Sequence, residues 1–400
     1  MIPRFQPQLG IQELISIIKG GDKNSIRRFE KKFAEKFSAN DAIAFPYGRT
    51  GLFVFLKALK LENIEIISPS YTCSVVIHAI TLSNNIPVLI DINKNDFNMD
   101  LKKMEEAITP KTKVIIATHL FGYPMNMQKM IEIKEKAEKK YSNKIWLIDD
   151  SAHSFGVLWK NKPVSKYCDL SLYGLNISKH ITTIYGGVLS FNDEKLANVV
   201  RCYWDQIKRE PSIFKLIFRK IYAFQCLIIF KPYIYWFIHW LQNKTTFLDS
   251  ITKAYHLDDK IEFPKDSLHK MLPFEAEVGI CQLEKYNSII QEKRLIAKIY
   301  NDYFKRLPGW IFPRFDKDSN YSHYTILVPN REKIVKQFMK NKIELGILIQ
   351  YSIDNMYCYK SLNSYCPNAR NASSQSINIP LSRIALKKLN QLNFLEKYET

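Results

Sequence analysis

The chain has 400 residues, 46% of them apolar, and a formal net charge of +19. This length and apolar content bury a large core, organised in about two domains, and exclude a disordered chain; seven cysteines, at 73, 168, 202, 226, 281, 358 and 366, show neither zinc-site pairing nor the density of a disulfide scaffold. The opening MIPRFQPQLG lacks the apolar run of a secretory signal, so a reducing, cytoplasmic setting is expected, and the basic excess leaves nucleic acid, an anionic membrane surface or anionic small molecules as partners.

Residues 11–37 read as two helices broken at Gly20-Gly21, the second carrying Ile26, Phe29, Phe33 and Phe37 at helical spacing. A short apolar strand at 42–45 leads through a turn at Tyr47–Thr50 into a helix from about Gly51 to Leu59. Such a turn presents free N–H groups and a positive dipole end; it either receives a phosphate or is an ordinary capped turn. The pattern then alternates: strand 64–69, helix Tyr71–Leu82, strand 86–92, helix Leu101–Ala107, strand 113–120, helix Met127–Lys140, strand 145–150. Repeated βα units with short links predict a mainly parallel sheet covered by helices on both faces. Ligands gather at the carboxyl ends of such strands, where Thr50, Ser70–Cys73, His119, Asp150–His153 and Lys179 all fall. Asp149-Asp150 is a metal ligand, a helix cap or the partner of a buried cation. A metal would want more carboxylates or histidines than His153 alone, and none is expected.

The stretch Leu170–Phe191 centres on Lys179, preceded by Asn176 and Ser178 and followed by Gly186-Gly187, where a backbone can pack closely around a bound group. A partly desolvated lysine there could act as an amine nucleophile; most lysines are simply solvated. From 201 to 265 the βα rhythm stops. Residues 208–244 hold seven Lys or Arg against one acid, Glu210, mixed with Phe, Tyr and Trp, and Lys231-Pro232 divides the uncharged runs so that neither can span a bilayer. These are either helices lying in a bilayer interface or apolar helices packed on the core or a second subunit. Beyond them come a long amphipathic helix at 273–307, a strand at 323–329, a helix at 330–342, a strand at 343–351 and a closing helix near 382–397. The domains expected are 1–265, with 208–244 as an insertion, and a smaller α/β domain at 266–400. Basic residues are spread along the chain without a binding motif, so no specific nucleic-acid partner is expected.

Six motifs occur in order: GRTGL (48–52), SPSYTCSVVIHAI (68–80), ITPKTKVIIATHLFGYP (108–124), IDDSAHSFG (148–156), SKH (178–180) with the later GG, and GICQLEKYN (279–287). In these the chain resembles, nearly end to end, the DegT family of fold-type I pyridoxal-phosphate aminotransferases that act on sugar nucleotides. The resemblance implies a large domain with a mainly parallel seven-stranded sheet between helices and a smaller C-terminal α/β domain. It also implies pyridoxal 5′-phosphate as cofactor, an amino donor such as glutamate, a keto-sugar acceptor on a nucleotide or lipid diphosphate, a role in surface polysaccharide or similar glycan biosynthesis, and a homodimer. Lys179 would form the Schiff base and move the proton, and Asp150 would pair with the pyridine nitrogen. His153, where the family usually has Gln, would hydrogen-bond the phenolic oxygen. Gly48, Arg49 and Thr50 would bind the phosphate, and Ala152 and Cys73 would sandwich the ring. Cys73 replaces a frequent aromatic. Gly174 replaces a phosphate-binding Ser or Thr, with Asn176 or Ser178 as the candidate substitute. Pro273 replaces an Asn that reaches the partner's cofactor, with Lys270 as the candidate substitute. His119, Tyr185 and Tyr351 are candidates for the substrate pocket. A dehydrating subgroup has histidine at the lysine position; Lys179, with His180 after it, favours amino transfer. Beside a purely cytoplasmic setting stands a peripheral contact with the inner face of the membrane through 208–244. The alternative function is a catalytically silent, membrane-associated scaffold or regulator of the same fold.

Overall fold

The computed structural model describes residues 1–94, 96–244, 260–304, 307–312 and 316–391. Seven strands form its central sheet: β1 (Asp41–Phe45), β2 (Glu65–Pro69), β3 (Ile86–Ile90), β4 (Thr112–Thr118), β5 (Trp146–Asp150) and, after a small hairpin of β6 (Leu158–Trp159) and β7 (Lys162–Pro163), β8 (Leu170–Gly174) and β9 (Gly187–Phe191). Their order is β1-β9-β8-β5-β4-β2-β3. β9 is antiparallel to both neighbours and the other pairs are parallel. Since β1 and β8 both oppose β9, β1 points the same way as β5 and β8. The turn after β1 therefore opens at the same edge as the ends of β5 and β8.

Strand alternation divides the apolar residues between two helix layers. Ile66, Val114, Ile116 and Ile148 pack with α3 (Gly48–Ala58), α4 (Ser74–Leu82) and α7 (Glu194–Ile207). Ile67, Ile115, Ala117 and Leu147 pack with α5 (Leu101–Ala107) and α6 (Met127–Tyr141). Side-chain caps start several of these helices: Asp100 accepts from Lys102 N at 2.9 Å, Asn126 from Lys129 N at 3.1 Å and Asp193 from Lys195 N at 2.8 Å. α4 begins three residues later than expected from the apolar run, because Ser70–Cys73 stays non-helical and Cys73 serves as its N-cap.

The two N-terminal helices, α1 (Ile11–Lys19) and α2 (Ser25–Lys36), pack on a later and longer one. The 208–244 stretch folds into α8 (Ile213–Ile229) and α9 (Pro232–Lys244); residues 245–259 lie outside the described residues. No helix among the described residues is long and apolar enough to cross a membrane. α10 (Pro273–Phe304) contributes Ala276, Ile280, Leu283 and Tyr286 to the core shared with α2, and Ile296, Ala297, Tyr300 and Phe304 to the C-terminal core. That second core is closed by β10 (Tyr324–Leu327), α11 (Arg331–Lys340), α12 (Pro367–Gln375), β11 (Ser376–Ile379) and α13 (Arg383–Gln391). The closing helix expected to reach 397 is seen through Gln391, its remainder lying outside the described residues.

The strand expected at 343–351 is absent as such. Only single bridges form, Ile343 with Ile2 and Gly346 with Asn378. At the free edge of β11, Gly346 and Asn378 exchange both backbone bonds, at 2.9 and 2.7 Å, but the Asn378 carboxamide oxygen accepts from Leu348 N at 3.1 Å, so a side chain takes the place of the next ladder bond.

Candidate active site

At the end of β5, Asp149 and Asp150 are both buried and, by strand alternation, project to opposite faces. Asp150 accepts from Ala152 N at 3.1 Å and from Thr118 Oγ1, on the neighbouring β4, at 3.3 Å. Burial raises its pKa, while these bonds and the nearby charge of Lys179 oppose the shift. On the other face Ser151 Oγ donates to Asp149 at 2.7 Å, and burial lifts Asp149 to about 7. His119 faces it, with Nε2 3.7 Å from Asp149 Oδ1. Its Nδ1 accepts from Met125 N at 3.0 Å, which places the proton of the neutral ring on Nε2. Burial lowers the His119 pKa to about 3. His119 is therefore a neutral group behind the sheet edge.

Lys179 follows β8 through a local turn: Asn176 Oδ1 accepts from Ser178 N at 3.1 Å and from Ser178 Oγ at 2.8 Å, and Lys179 N donates to Asn176 O at 3.1 Å. This turn occupies the Asn176 carboxamide oxygen and aims Lys179 back over the sheet end. Desolvation lowers the Lys179 pKa to about 8, against the opposing influence of Cys73 and Asp150. A Cβ built on Gly174 would lie 3.7 Å from both Ala152 Cβ and Lys179 Cε, so residues 152, 174 and 179 converge on one spot.

The turn after β1 comes in from the side. Tyr47 caps α3 with extended backbone and makes no side-chain cap bond, which leaves the helix N-terminus to other partners. Gly187 lets this turn sit against β9: a Cβ there would fall 2.2 Å from Gly48 N and 2.3 Å from Gly48 Cα. Thr50 is buried and donates Oγ1 to Ser267 O at 3.0 Å. The Arg49 guanidinium lies 5.5 Å from the Tyr47 ring centroid, and its charge adds to the burial that lowers His78 to about 4. Thr50 and Arg49 thus serve the frame of the turn as well as its mouth.

His153 stacks on Phe121, centroids 5.7 Å apart, and its Nδ1 accepts from Phe121 N at 3.4 Å. Burial and the surrounding charges of Lys179, His323, His180 and Lys293 push its pKa well down. The ring is neutral with its proton on Nε2, a donor.

Lys179 opens onto a cavity lined also by Arg4, Ser178, His180, Lys293 and His323. Three cations and two histidines line it, and among its described lining residues there is no carboxylate. Lys293, like Lys179, is lowered to about 8 by desolvation. His180, Lys293 and His323 belong to this site and were not picked out from the sequence as pocket residues. The only local signals were the histidine after Lys179 and the histidine opening the strand expected at 323. Lys293 gives none, since its place is set by how α10 crosses the sheet.

His119, Tyr185 and Tyr351, expected in the substrate pocket, are not among the residues that line this cavity. His119 lies behind Asp149 as described. Tyr351 accepts from Ser74 N at 3.0 Å and donates to Ser74 Oγ at 3.2 Å, capping α4 from the C-terminal core. Tyr185 carries Arg219 over its ring, 3.5 Å from the centroid. Lys270, the candidate cross-subunit residue, is paired with Glu210.

These residues suit pyridoxal phosphate in their chemistry. A buried carboxylate, a desolvated amine, a neutral imidazole donor and the N-terminus of α3 stand around Gly174 and Ala152, where little side chain intrudes. Among the described residues no group of three or more His, Cys, Asp or Glu could hold a metal ion.

The chain is similar to known proteins over most of its length. The model of the DegT/DnrJ/EryC1/StrS aminotransferase family matches residues 12–213 and 267–390. GDP-perosamine synthase of Escherichia coli O157:H7 is 26% identical over 391 residues, covering 95% of this chain and 93% of that protein. The dTDP-4-amino-4,6-dideoxy-D-glucose transaminase of Escherichia coli is 25% identical over 346 residues, covering 84% and 78%. Among solved structures, the sugar aminotransferase CalS13 from Micromonospora echinospora superposes with a TM-score of 0.77 at 15% identity, over 98% of each chain.

Proposed function

Because this chain belongs to the DegT/DnrJ/EryC1/StrS aminotransferase family, which includes pyridoxal-phosphate-dependent sugar aminotransferases, we propose that it moves an amino group from glutamate to a keto sugar carried on a diphosphate. The observation that carries this reading is a buried Lys179, within electrostatic reach of Asp150, opening onto a cavity of cations and histidines whose described lining holds no carboxylate. Such a lining suits ligands that bring their own negative charge, as both a dicarboxylate donor and a diphosphate-bearing acceptor do.

Pyridoxal phosphate, when bound, supplies the electron sink that allows a C–H bond beside nitrogen to ionise. Asp150 would hold the pyridine nitrogen protonated, its own charge favoured by the Ala152 and Thr118 bonds. His153 would donate Nε2–H to the ring oxygen, since its Nδ1 is engaged by Phe121 N. The α3 N-terminus at Gly48–Thr50 would take the phosphate, with Ser178 near by, and Ala152 and Cys73 would flank the ring. Lys179, near neutrality at about 8, can give up and take back a proton at Nζ within the working pH range. His180, Lys293, His323 and Arg4 would orient the anionic ligand.

The nucleotide-linked sugars named for the relatives favour a nucleotide diphosphate as carrier, a lipid diphosphate being the other form, and the family relation favours a homodimer working in glycan synthesis in the cytoplasm. The test is turnover: purified protein, pyridoxal phosphate and glutamate should release 2-oxoglutarate in step with amination of a nucleotide-linked 4-keto-6-deoxy sugar. Formation of 2-oxoglutarate without amination of any nucleotide-linked keto sugar would remove the acceptor class; no 2-oxoglutarate from glutamate would remove the donor.

A further inference from the structure

Helix α8 is built inside out. Its cations turn inward: Arg219 bonds Glu275 at 3.1 Å and Asp266 at 3.0 Å, and Lys215 bonds Asp266 at 2.9 Å. Ala223 and Cys226 join a core with Ile17, Leu272, Phe274 and Val278. Outward it presents Phe214 (70% exposed), Ile217, Phe218 (70%), Ile221, Phe224 and Ile228 at helical spacing. A surface helix of a water-facing protein shows the reverse pattern. The neighbouring α1 repeats it, with Glu13 buried against Lys285 at 2.7 Å and Ile11, Ile15 and Ile18 exposed. α9 adds Tyr233 (90% exposed), Trp236 and Phe237. Apolar exposure gathered in this way marks a contact surface rather than scattered surface residues.

Composition identifies what the surface meets. Residues 211–244 contain no Asp or Glu and five Lys or Arg, two of which, Lys215 and Arg219, are spent on the inward ion pairs; the other three are the segment's surplus charge, in a chain of net charge +19. Two copies apposed through this segment would bring two acid-free cationic stretches together, whereas an anionic leaflet opposes them with opposite charge. Aromatic residues with a polar tip, such as Tyr233 and Trp236, favour the headgroup level, and Phe and Ile the acyl boundary beneath. The segment also lies apart from the family's common frame, since the family model passes from residue 213 to 267. With 17 residues in α8 and 13 in α9, divided at Lys231-Pro232, neither helix spans a bilayer and both can lie in its interface.

We propose that the outward face of α8, with α9, docks the enzyme on an anionic membrane surface. The test uses the full chain with its cofactor in flotation with phosphatidylcholine vesicles, with and without phosphatidylglycerol. Wild type should float with the anionic vesicles at least about tenfold more than with neutral ones, and Phe214→Glu with Phe218→Glu should lose at least about tenfold of that binding. The visible cofactor band and the molar mass by light scattering should be unchanged in the variant. Wild type that stays in solution, equal binding to both vesicle types, or undiminished binding of the variant would overturn the proposal. So would a fall in molar mass, which would make the face a subunit contact. Should the double variant lose the cofactor band, Ile221→Glu alone is read by the same criteria.

Discussion

Two desolvated cations, Lys179 between β8 and β9 and Arg219 on α8, have opposite fates. Lys179 has no ion-pair geometry with Asp150 and loses basicity, to about 8, because burial penalises its charge. Arg219 is also buried, yet Glu275, Tyr47 and Asp266 hold its pKa above the ordinary guanidinium value. Tyr47 Oη accepts from Arg219 at 2.8 Å and donates to Asp266 at 2.8 Å, so the Arg219 cluster clamps the residue that caps α3. Asp266 is held at about 2 by Lys215, Tyr47 and Arg219 although burial alone would raise it. A buried cation left short of partners is available for chemistry, and one fully partnered is a structural tie.

The contrast can be broken at either end. Lys179→Ala removes the group proposed to move the proton, and the rate of 2-oxoglutarate formation from glutamate should fall by at least about 10³-fold with little change in unfolding midpoint. A variant that keeps more than a tenth of the rate would show that another base acts there. Arg219→Ala leaves Glu275 and Asp266 without their shared partner, and chemical denaturation should register a loss of about 3–5 kcal/mol. A loss under about 1 kcal/mol would mean that solvent already reaches the cluster.

The smallest effect sharpens the comparison by pH. The neutral amine is the reactive form, so attachment of pyridoxal phosphate to cofactor-free protein should quicken as pH rises and level off above the Lys179 pKa of about 8. From pH 7 to 8 the rate should grow roughly fivefold, and beyond that by less than about twofold. Stopped-flow absorbance measures this directly. A rate still climbing tenfold per unit past pH 9 would place the amine at its solvated value.

Much of this site could be read from the chain because it sits on the regular part. Asp150 ends an uninterrupted apolar strand, and Lys179 follows another, so their shared edge follows from the direction of parallel strands. His153 likewise follows Asp150 within the same turn. Residues brought in by irregular or distant backbone were not legible. Lys293 lies mid-helix with nothing local to distinguish it, and Arg4 reaches the cavity from a segment without regular structure. His119 and Tyr351 lie outside the Lys179 cavity, because an expected strand end does not specify which face a side chain takes or which neighbour claims it. For 208–244, the composition could be read as interfacial or as core; the structure has one face of α8 in the core and the other outside.

α10 has one more consequence, for how the chain comes apart. Its 32 residues, about 48 Å of continuous helix, pass from one apolar core into the next without a break. Tyr71, Ile92, Phe97 and Phe121 from the sheet half also complete the C-terminal core, and Ile353, Met356 and Tyr359 return the exchange beneath α4. Melting the C-terminal layer alone would strip apolar cover from the sheet half as well, so the two halves are coupled in unfolding and neither is a detachable module. Ligand taken up at the seam between them therefore stabilises both at once.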